Sequence, residues 1–475
     1  MGTLEVRLRQ PSTGLLALPW STPLDEWDGS QVPLRELAVG PSRHVVRFVE
    51  ADGALWALKA LPGAVAIHEY DMLRALEERE LSAVRAAGVV QQPRADDAIL
   101  LTRYLTRSWQ YRRMLMNIPS TLQVQRGRLF DAMAVLLVDL HRNGVYWGDC
   151  SLANTLFMRD GQTMIAWLVD AETTELHPTL SDGQRRDDIE IMVENVAGGL
   201  LDVAASRGEP PSLTPLIIDE ARGVAERYDQ LWSVLHDEPI IGLEDHYEID
   251  SRLRRINELG FALDEVRFAT TDPRGEQVRM SLTVAGRSFH SERLAQLTGL
   301  QVGEGQATVL LNDLRSFHTT MQQECGVEVP EEVAARHWLH DVFEPGRARA
   351  HEALGRVGDP NQAYCDLLEV RWLLSEEAGY DVGDGPALEA LATRRTPTES
   401  AAGLVFVDAP TGTLPAVELG LTPATDDDPS GGAAPTLGLT PATDDDPSDA
   451  PPPTLGLTPA TDDDPSDAPP PTLGP

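Results

Sequence analysis

Cysteine is scarce in this chain of 475 residues: Cys150, Cys325 and Cys365 stand far apart with no C-x-x-C pair, which argues against a disulfide framework and a thiolate zinc site. No apolar run approaches the ~18 to 20 residues that a membrane helix needs, and the opening MGTLEVRLRQPSTG has no apolar core behind a basic start. The expectation is therefore a soluble, cytoplasmic protein with no membrane span. Basic residues are also in short supply. With 39 Lys and Arg against 75 Asp and Glu, the formal net charge is -36, a field that repels nucleic-acid backbones and anionic membranes. Apolar residues are not lacking; at 42% of the chain they suffice for two or three packed domains.

What the sequence does contain is concentrated between His141 and Glu175. There Asp149 is followed five residues later by Asn154, and Asp170 closes the apolar run Ile165, Ala166, Trp167, Leu168, Val169. Phosphoryl transfer from ATP requires one carboxylate aimed at the attacking hydroxyl and separate oxygen ligands for Mg²⁺, all on rigid supports. An Asp and an Asn in a tight loop, then an Asp at the end of a hairpin strand, supply these parts. Asp and Asn are common loop residues, so the pair alone reads equally as surface-loop coincidence. The third carboxylate and the flanking apolar segments (Leu136, Leu137 and Leu140 before the Asn143-Gly144 turn, Leu156 and Phe157 after Asn154) favour the kinase-like reading.

Upstream, LRELAV, HVVRFVE and LWALKAL read as antiparallel strands joined by turns, and AIHEYDMLRALEERE reads as a helix with Ile67, Met72, Leu73 and Leu76 as its apolar face. The third strand carries Lys59 and the helix carries Glu69, a pairing that would hold the α- and β-phosphates of ATP. The plainer alternative is a snorkelling lysine and a solvated glutamate. AILLTRYL is expected to be a strand at the sheet edge and the hinge between lobes, and Arg103, Arg107, Arg112 and Arg113 are expected to cap helix ends and pair with carboxylates, the alternative being that they bind an anionic substrate. Glu172 offers a second carboxylate beside Asp170 for a hard cation. In the next helix Asp187 and Asp188 are expected to cap the N-terminus, the alternative being that one of them braces the Asp149 loop.

LHRNGVYWGDCSLANTLF with LVDAE resembles the bacterial small-molecule and lipopolysaccharide (Kdo/heptose) kinase branch of the protein-kinase-like superfamily, over about residues 34 to 235. The later segments SFHSERLAQLTGL, QATVLLNDL, VFEP and LEVRWLLSEEAGYDVG resemble an actinobacterial family, domain of unknown function 4032, which is similar in carrying a kinase-like first half. The resemblance implies that Lys59 positions the ATP phosphates, Glu69 orients Lys59, Asp149 is the base, and Asn154 with Asp170 binds Mg²⁺. The chain departs from the superfamily in three places. Only Gly40 stands where many kinases have three glycines, so phosphate contact would fall to backbone amides around Ser42 and Arg43. Trp147 and Gly148 precede Asp149 in place of His-Arg, and Ser151 replaces a basic residue.

The expected fold is α+β: a bilobal protein-kinase-like unit with an antiparallel-sheet first lobe (34–103) and a helical second lobe (104–240), after an extended lead-in (1–33). A smaller α/β domain (241–385) and a disordered acidic tail (386–475) follow. In the second half His337, His340 and Asp341 have ligand-like spacing, although helical histidines of this kind are more often surface or packed residues. In the tail LGLTPATDDDPS recurs from Leu419, Leu437 and Leu455 with a period of eighteen and no Lys or Arg after Arg395. It reads as a solubilising segment or a docking site for a protein partner. The sequence thus points to an ATP- and Mg²⁺-dependent phosphotransferase acting on an unidentified hydroxyl acceptor. The alternative is a catalytically weak or silent nucleotide-binding regulator or scaffold.

Overall fold

In the computed structural model the described residues are 4–37, 43–92, 97–116, 118, 120, 121, 123–242, 246–271 and 277–393. The repeat tail, Gly40 and Ser42 lie outside them.

The first elements are β1 (Glu5–Leu8), α1 (Thr13–Leu16), β2 (Leu34–Arg35), β3 (Val46–Ala51), β4 (Ala54–Pro62), α2 (Gly63–Glu78), β5 (Ala86–Gln91) and β6 (Asp97–Arg103). The strands form one six-stranded antiparallel sheet in the order β1-β5-β6-β4-β3-β2. Positive φ at Asp52 (51°) and Gly53 (71°) closes the two-residue β3–β4 hairpin, the twist such a turn demands. Side chains alternate across the sheet. On one face Leu61, Val89, Ala98 and Leu100 pack against Ala66, Tyr70, Leu73 and Leu76 of α2. On the other, Val49, Leu58, Val90, Ile99 and Leu101 are covered by Leu15, Trp20, Leu24 and Trp27.

Three local expectations change here. The N-terminal segment packs on the first lobe as expected, covering its outer face, but it is not only an extended lead-in, since β1 joins the sheet as an edge strand. β6 lies inside the sheet, between β5 and β4, rather than at its edge. Ile67 is 40% exposed, its expected place on the buried face of α2 being taken by Ala66 and Tyr70.

Next come β7 (Trp109–Gln110), α3 (Tyr111–Leu115), α4 (Gln123–Arg142), β8 (Val145–Tyr146), β9 (Thr155–Asp160), β10 (Thr163–Leu168), β11 (Glu175–Leu176), α5 (Asp182–Arg207) and α6 (Thr214–His236). β9 and β10 form a hairpin with β7 alongside β9, while α4, α5 and α6 bury Leu137, Met192, Val196 and Val224 in the core that also receives α2. β12 (Ile240–Gly242), α7 (His246–Glu258), β13 (Leu263–Thr270) and β14 (Gln277–Val284) follow, and Ile256 and Phe261 join the same core.

From residue 289 to 393 the described chain is helical: α8 (Phe289–Thr298), α9 (Glu304–Cys325), α10 (Glu331–His337), a π-helical turn over Trp338–Phe343, α11 (Glu344–Ala353), α12 (Pro360–Ala378) and α13 (Asp384–Thr393). They enclose a core of their own around Leu310, Trp338, Phe343 and Leu367. No described helix is long and apolar enough to cross a membrane.

Candidate active site

Helix α2 starts directly where β4 ends, so Glu69, two turns into the helix, comes back over Lys59 in the strand. Lys59 Nζ donates to Glu69 Oε2 at 3.1 Å, to Asp170 Oδ2 at 2.7 Å and to Glu172 Oε2 at 3.5 Å. Asp170 is brought there by β10, whose last residue is Leu168, and the turn after it is pinned by Glu172 N donating to Asp170 Oδ1 and Ala171 N to Glu69 Oε1. Lys59 is also the only lysine in the chain, against 38 arginines. Arginine cannot lose its charge and presents a planar fork, whereas an ammonium is a compact point charge suited to a crowded anionic site.

The site is electrostatically unbalanced: one ammonium faces three carboxylates. Burial pushes the Glu69 carboxyl up to about 7, with the charge of Asp170 adding and that of Lys59 opposing. Burial alone would depress Lys59, but Glu69, Asp170 and Glu172 outweigh it and hold the amine above its ordinary value. One oxygen from each of Glu69, Asp170 and Glu172 lies within 4.8 Å of the others, the one such three-residue group of acidic, His or Cys side chains among the described residues. Glu172 is also reached by Arg43 Nη2, 3.2 Å from Oε1, and by His44 Nε2, 3.5 Å from Oε2. Ser42, expected beside Arg43, is outside the described residues.

Asp149 occupies a loop between β8 and β9. Both carboxylate oxygens are held: Asn154 Nδ2 donates to Oδ2 at 3.0 Å and Asn195 Nδ2 to Oδ1 at 3.1 Å. Ser151 Oγ accepts from Asn154 N, so a hydroxyl shapes the loop where a basic residue was missed. Gly148, at φ +78°, permits the turn into Asp149.

Behind the loop stands Asp188, wholly buried. It accepts from Trp147 N at 2.7 Å, Gly148 N at 2.9 Å and His141 Nε2 at 3.0 Å. An ionised carboxylate only accepts, so His141 carries its proton on Nε2 and its Nδ1 accepts from the Tyr228 hydroxyl at 2.8 Å. Burial lowers the His141 pKa, which keeps the ring neutral. The expectation that Asp187 and Asp188 cap α5 is therefore corrected. The cap is Ser181, in a reciprocal box with Gln184; Asp188 lies two turns in and braces the loop, while Asp187 accepts from Tyr146.

Trp147 ties loop and cluster together, its Nε1 donating to Asp170 O at 3.2 Å and its carbonyl accepting from Thr173 Oγ1. The sequence-nominated residues thus lie in two linked groups. Lys59, Glu69, Asp170, Glu172 and Arg43 form one, and Asp149 with Asn154 forms the other. Asn195 and Trp147 were missed as supports, and the brace by Asp188 is the alternative that the sequence ranked below a helix cap. A signal existed: Asp188, Met192, Val196 and Leu200 recur every fourth residue, so a carboxylate heads the buried stripe of α5, with Asn195 one place from Val196.

His337 and His340 sit on exposed helical turns, bonded to Asp341 and Glu344 respectively, as surface ion pairs.

Residues 53–197 match the Lipopolysaccharide kinase (Kdo/WaaP) family, and residues 230–394 match the Domain of unknown function (DUF4032). No curated protein matches the chain. Among solved structures, "WaaP in complex with acyl carrier protein" is 17% identical, covering 41% of this chain and 90% of that one, with a TM-score of 0.28. A crystal structure of a kinase domain is 12% identical, covering 33% of this chain and 56% of that one, with a TM-score of 0.24. Both structural likenesses are loose. By its sequence matches, the chain resembles the lipopolysaccharide kinase family from the β3–β4 turn to the middle of α5 and the DUF4032 family from the last turns of α6 onward.

Proposed function

We propose that the chain is an ATP-dependent phosphotransferase of bilobal, protein-kinase-like build, moving the γ-phosphoryl group to a hydroxyl of a small-molecule, glycan or protein acceptor. The observation that carries this reading is the convergence of the sole lysine on Asp170 and Glu69, tied through Trp147 to a loop that holds Asp149 with both oxygens clamped.

Each group then has a task. Asp149 accepts the proton of the acceptor hydroxyl as its oxygen bonds to the γ-phosphorus and the bond to the β–γ bridging oxygen breaks, releasing ADP. The two amides fix the carboxylate in place, which lowers the cost of orienting it. Lys59, held by Glu69, would meet the α- and β-phosphates, with Arg43 at their border. Two of the three clustered carboxylates, Asp170 and Glu172, would hold Mg²⁺ through the oxygens a hard divalent cation takes, with Asn154 as the further ligand that the family resemblance implies. Bound there, the ion neutralises phosphate charge.

A nucleotide-binding regulator without turnover is the second reading. It is favoured by Ser151, a hydroxyl bonded within the loop where many kinases place a basic residue beside the transferring phosphate.

Purified protein with Mg²⁺ and ATP, scored for nucleotide binding by thermal shift and for phosphate release, separates the two. The phosphotransferase shows slow Mg²⁺-dependent hydrolysis that disappears in Asp149→Ala while binding remains. Binding with no turnover in the wild type, unchanged by Asp149→Ala, supports the regulator.

A further inference from the structure

In the three-stranded sheet β12-β14-β13, β13 is an end strand, and no described strand pairs with its outer side. Most of it stands in water: Glu265, Arg267, Phe268, Ala269 and Thr270 are exposed, Phe268 at 46%. Open strand edges template pairing with another chain, so proteins blunt them with bulges, prolines, charges or short length. Here a register shift between Leu263 and Glu265 interrupts the first half of the strand. Past it, residues 266–270 read VRFAT, without proline and rich in the β-branched and aromatic residues that favour strands.

The direction of the backbone follows from the neighbouring strands. Met280 N donates to Pro239 O, on the β12 side. Hydrogen-bonding direction alternates along a strand, so Arg279 and Ser281 turn their backbone groups toward β13, where they face Ala269 and Arg267. Val266, Phe268 and Thr270 therefore aim N–H and C=O outward. Their side chains lie opposite Leu282, Met280 and Val278, so they extend the apolar face of β14 to the rim of the sheet. The other face carries Glu265 and Arg267, bonded to each other at 3.0 Å, so residues 265–270 bear no net charge in a chain whose net charge is -36.

We propose that this edge pairs with the same edge of a second copy of the chain, antiparallel about a two-fold axis at Phe268. That register sets Phe268 beside Phe268 of the partner subunit and Val266 beside the partner's Thr270, so the three outward-facing residues meet outward-facing counterparts and the apolar faces of the two sheets join. Moving the axis to Arg267 would set two arginines against each other, and moving it to Val266 would run the pairing into the register shift. Copies of so acidic a chain repel, and this neutral, apolar run is where two can approach. Salt, which screens the repulsion, should tighten the pair.

So short a run makes a small interface, and dissociation on the order of tens of micromolar is expected. Sedimentation velocity of the full chain at concentrations on either side of that value should show a monomer–dimer equilibrium that tightens with NaCl. Thr270→Pro removes an outward N–H that β14 does not use, and Phe268→Glu sets like charges on the axis. Each is expected to weaken the dimer at least roughly tenfold with a thermal midpoint near wild type, while Phe268→Tyr keeps it. In a Cys325→Ser background, which removes the exposed thiol, Phe268→Cys is expected to join two chains by a disulfide under mild oxidation and Arg267→Cys is not, since opposed hydrogen-bonded residues stand about 5.5 Å apart at Cα. A monomer at every concentration, or a dimer untouched by Thr270→Pro and Phe268→Glu, overturns the proposal; cross-linking at residue 267 in place of 268 overturns the register. No nucleotide is present, so the result stands apart from the phosphotransferase reading.

Discussion

Two regions take ionised side chains out of water, and they do it differently. Where the hairpin β9–β10 meets the C-terminal helices, each charge is matched: Arg159 by Asp366 and Glu369, Arg107 by Asp359, Asp160 by two backbone N–H groups. Contact there is close enough that a Cβ on Gly305 would lie 2.1 Å from Asp160 O. Around Lys59, by contrast, three carboxylates share one buried ammonium, and only Glu172 meets a further cation, the exposed Arg43. Burying unmatched like charge is costly, and a protein retains such a site where a further cation completes it. The matched region is a staple and the unmatched one a receptor for charge that arrives from outside. That difference predicts opposite responses to mutation.

The largest effect is expected at Asp149. Replacing it with Asn should lower phosphoryl transfer by roughly two to four orders of magnitude, the usual worth of a positioned base, with the urea midpoint nearly unchanged. Loss of stability with activity intact would place Asp149 among the staples.

Asp188→Ala comes next. It strands the His141 Nε2–H and the Trp147 and Gly148 N–H groups, so unfolding in urea should show a loss of roughly 3 kcal/mol or more, and turnover should fall as the loop loosens. Asp187→Ala, which removes one exposed bond to Tyr146, should stay within about 0.5 kcal/mol.

Asp160→Ala tests the staple itself. Two buried N–H groups lose their acceptor, a cost of roughly 2 kcal/mol in stability, while nucleotide binding is expected to persist. Equal losses in both would mean that the two regions are not separable.

The smallest effect is in pH. Between 4.5, the ordinary Glu value, and about 7, folded Glu69 retains a proton that the unfolded chain has released, so its contribution to stability is complete below that window and is lost as pH rises through it. Thermal scans without divalent cations should fall across this range, less steeply in Glu69→Gln, and MgCl₂ should raise the midpoint more at pH 8 than at pH 6. A Mg²⁺ effect independent of pH would sever the link between the cation and these carboxylates.

Much of the site was legible because spacing along strands and loops constrains where side chains go. Asp149, Asn154 and Asp170 read directly as a loop and the end of a hairpin, and Lys59 and Glu69 as a strand and the helix that follows it. The supports were not legible in the same way. Asp188 and Asn195 act across space from α5 onto a loop more than thirty-five residues earlier, and an Asp near a helix start has a cheaper local explanation as a cap. The solitary lysine was a readable signal that spacing arguments pass over, since it is a property of the whole chain. In the fold, β1 escaped notice because a four-residue edge strand is specified by its partner β5 rather than by its own pattern.

A chain with one lysine permits a direct measurement. An acyl-phosphate derivative of ATP delivers its acyl group to an amine beside the bound phosphates, and only Lys59 and the N-terminal amine are available to receive it. Peptide mass spectrometry after labelling with Mg²⁺ should find the acyl group on Lys59, suppressed by excess ATP. Labelling that ATP does not suppress, or that falls on the N-terminus alone, would contradict the claim that the carboxylate cluster and its lysine receive a metal-bound triphosphate.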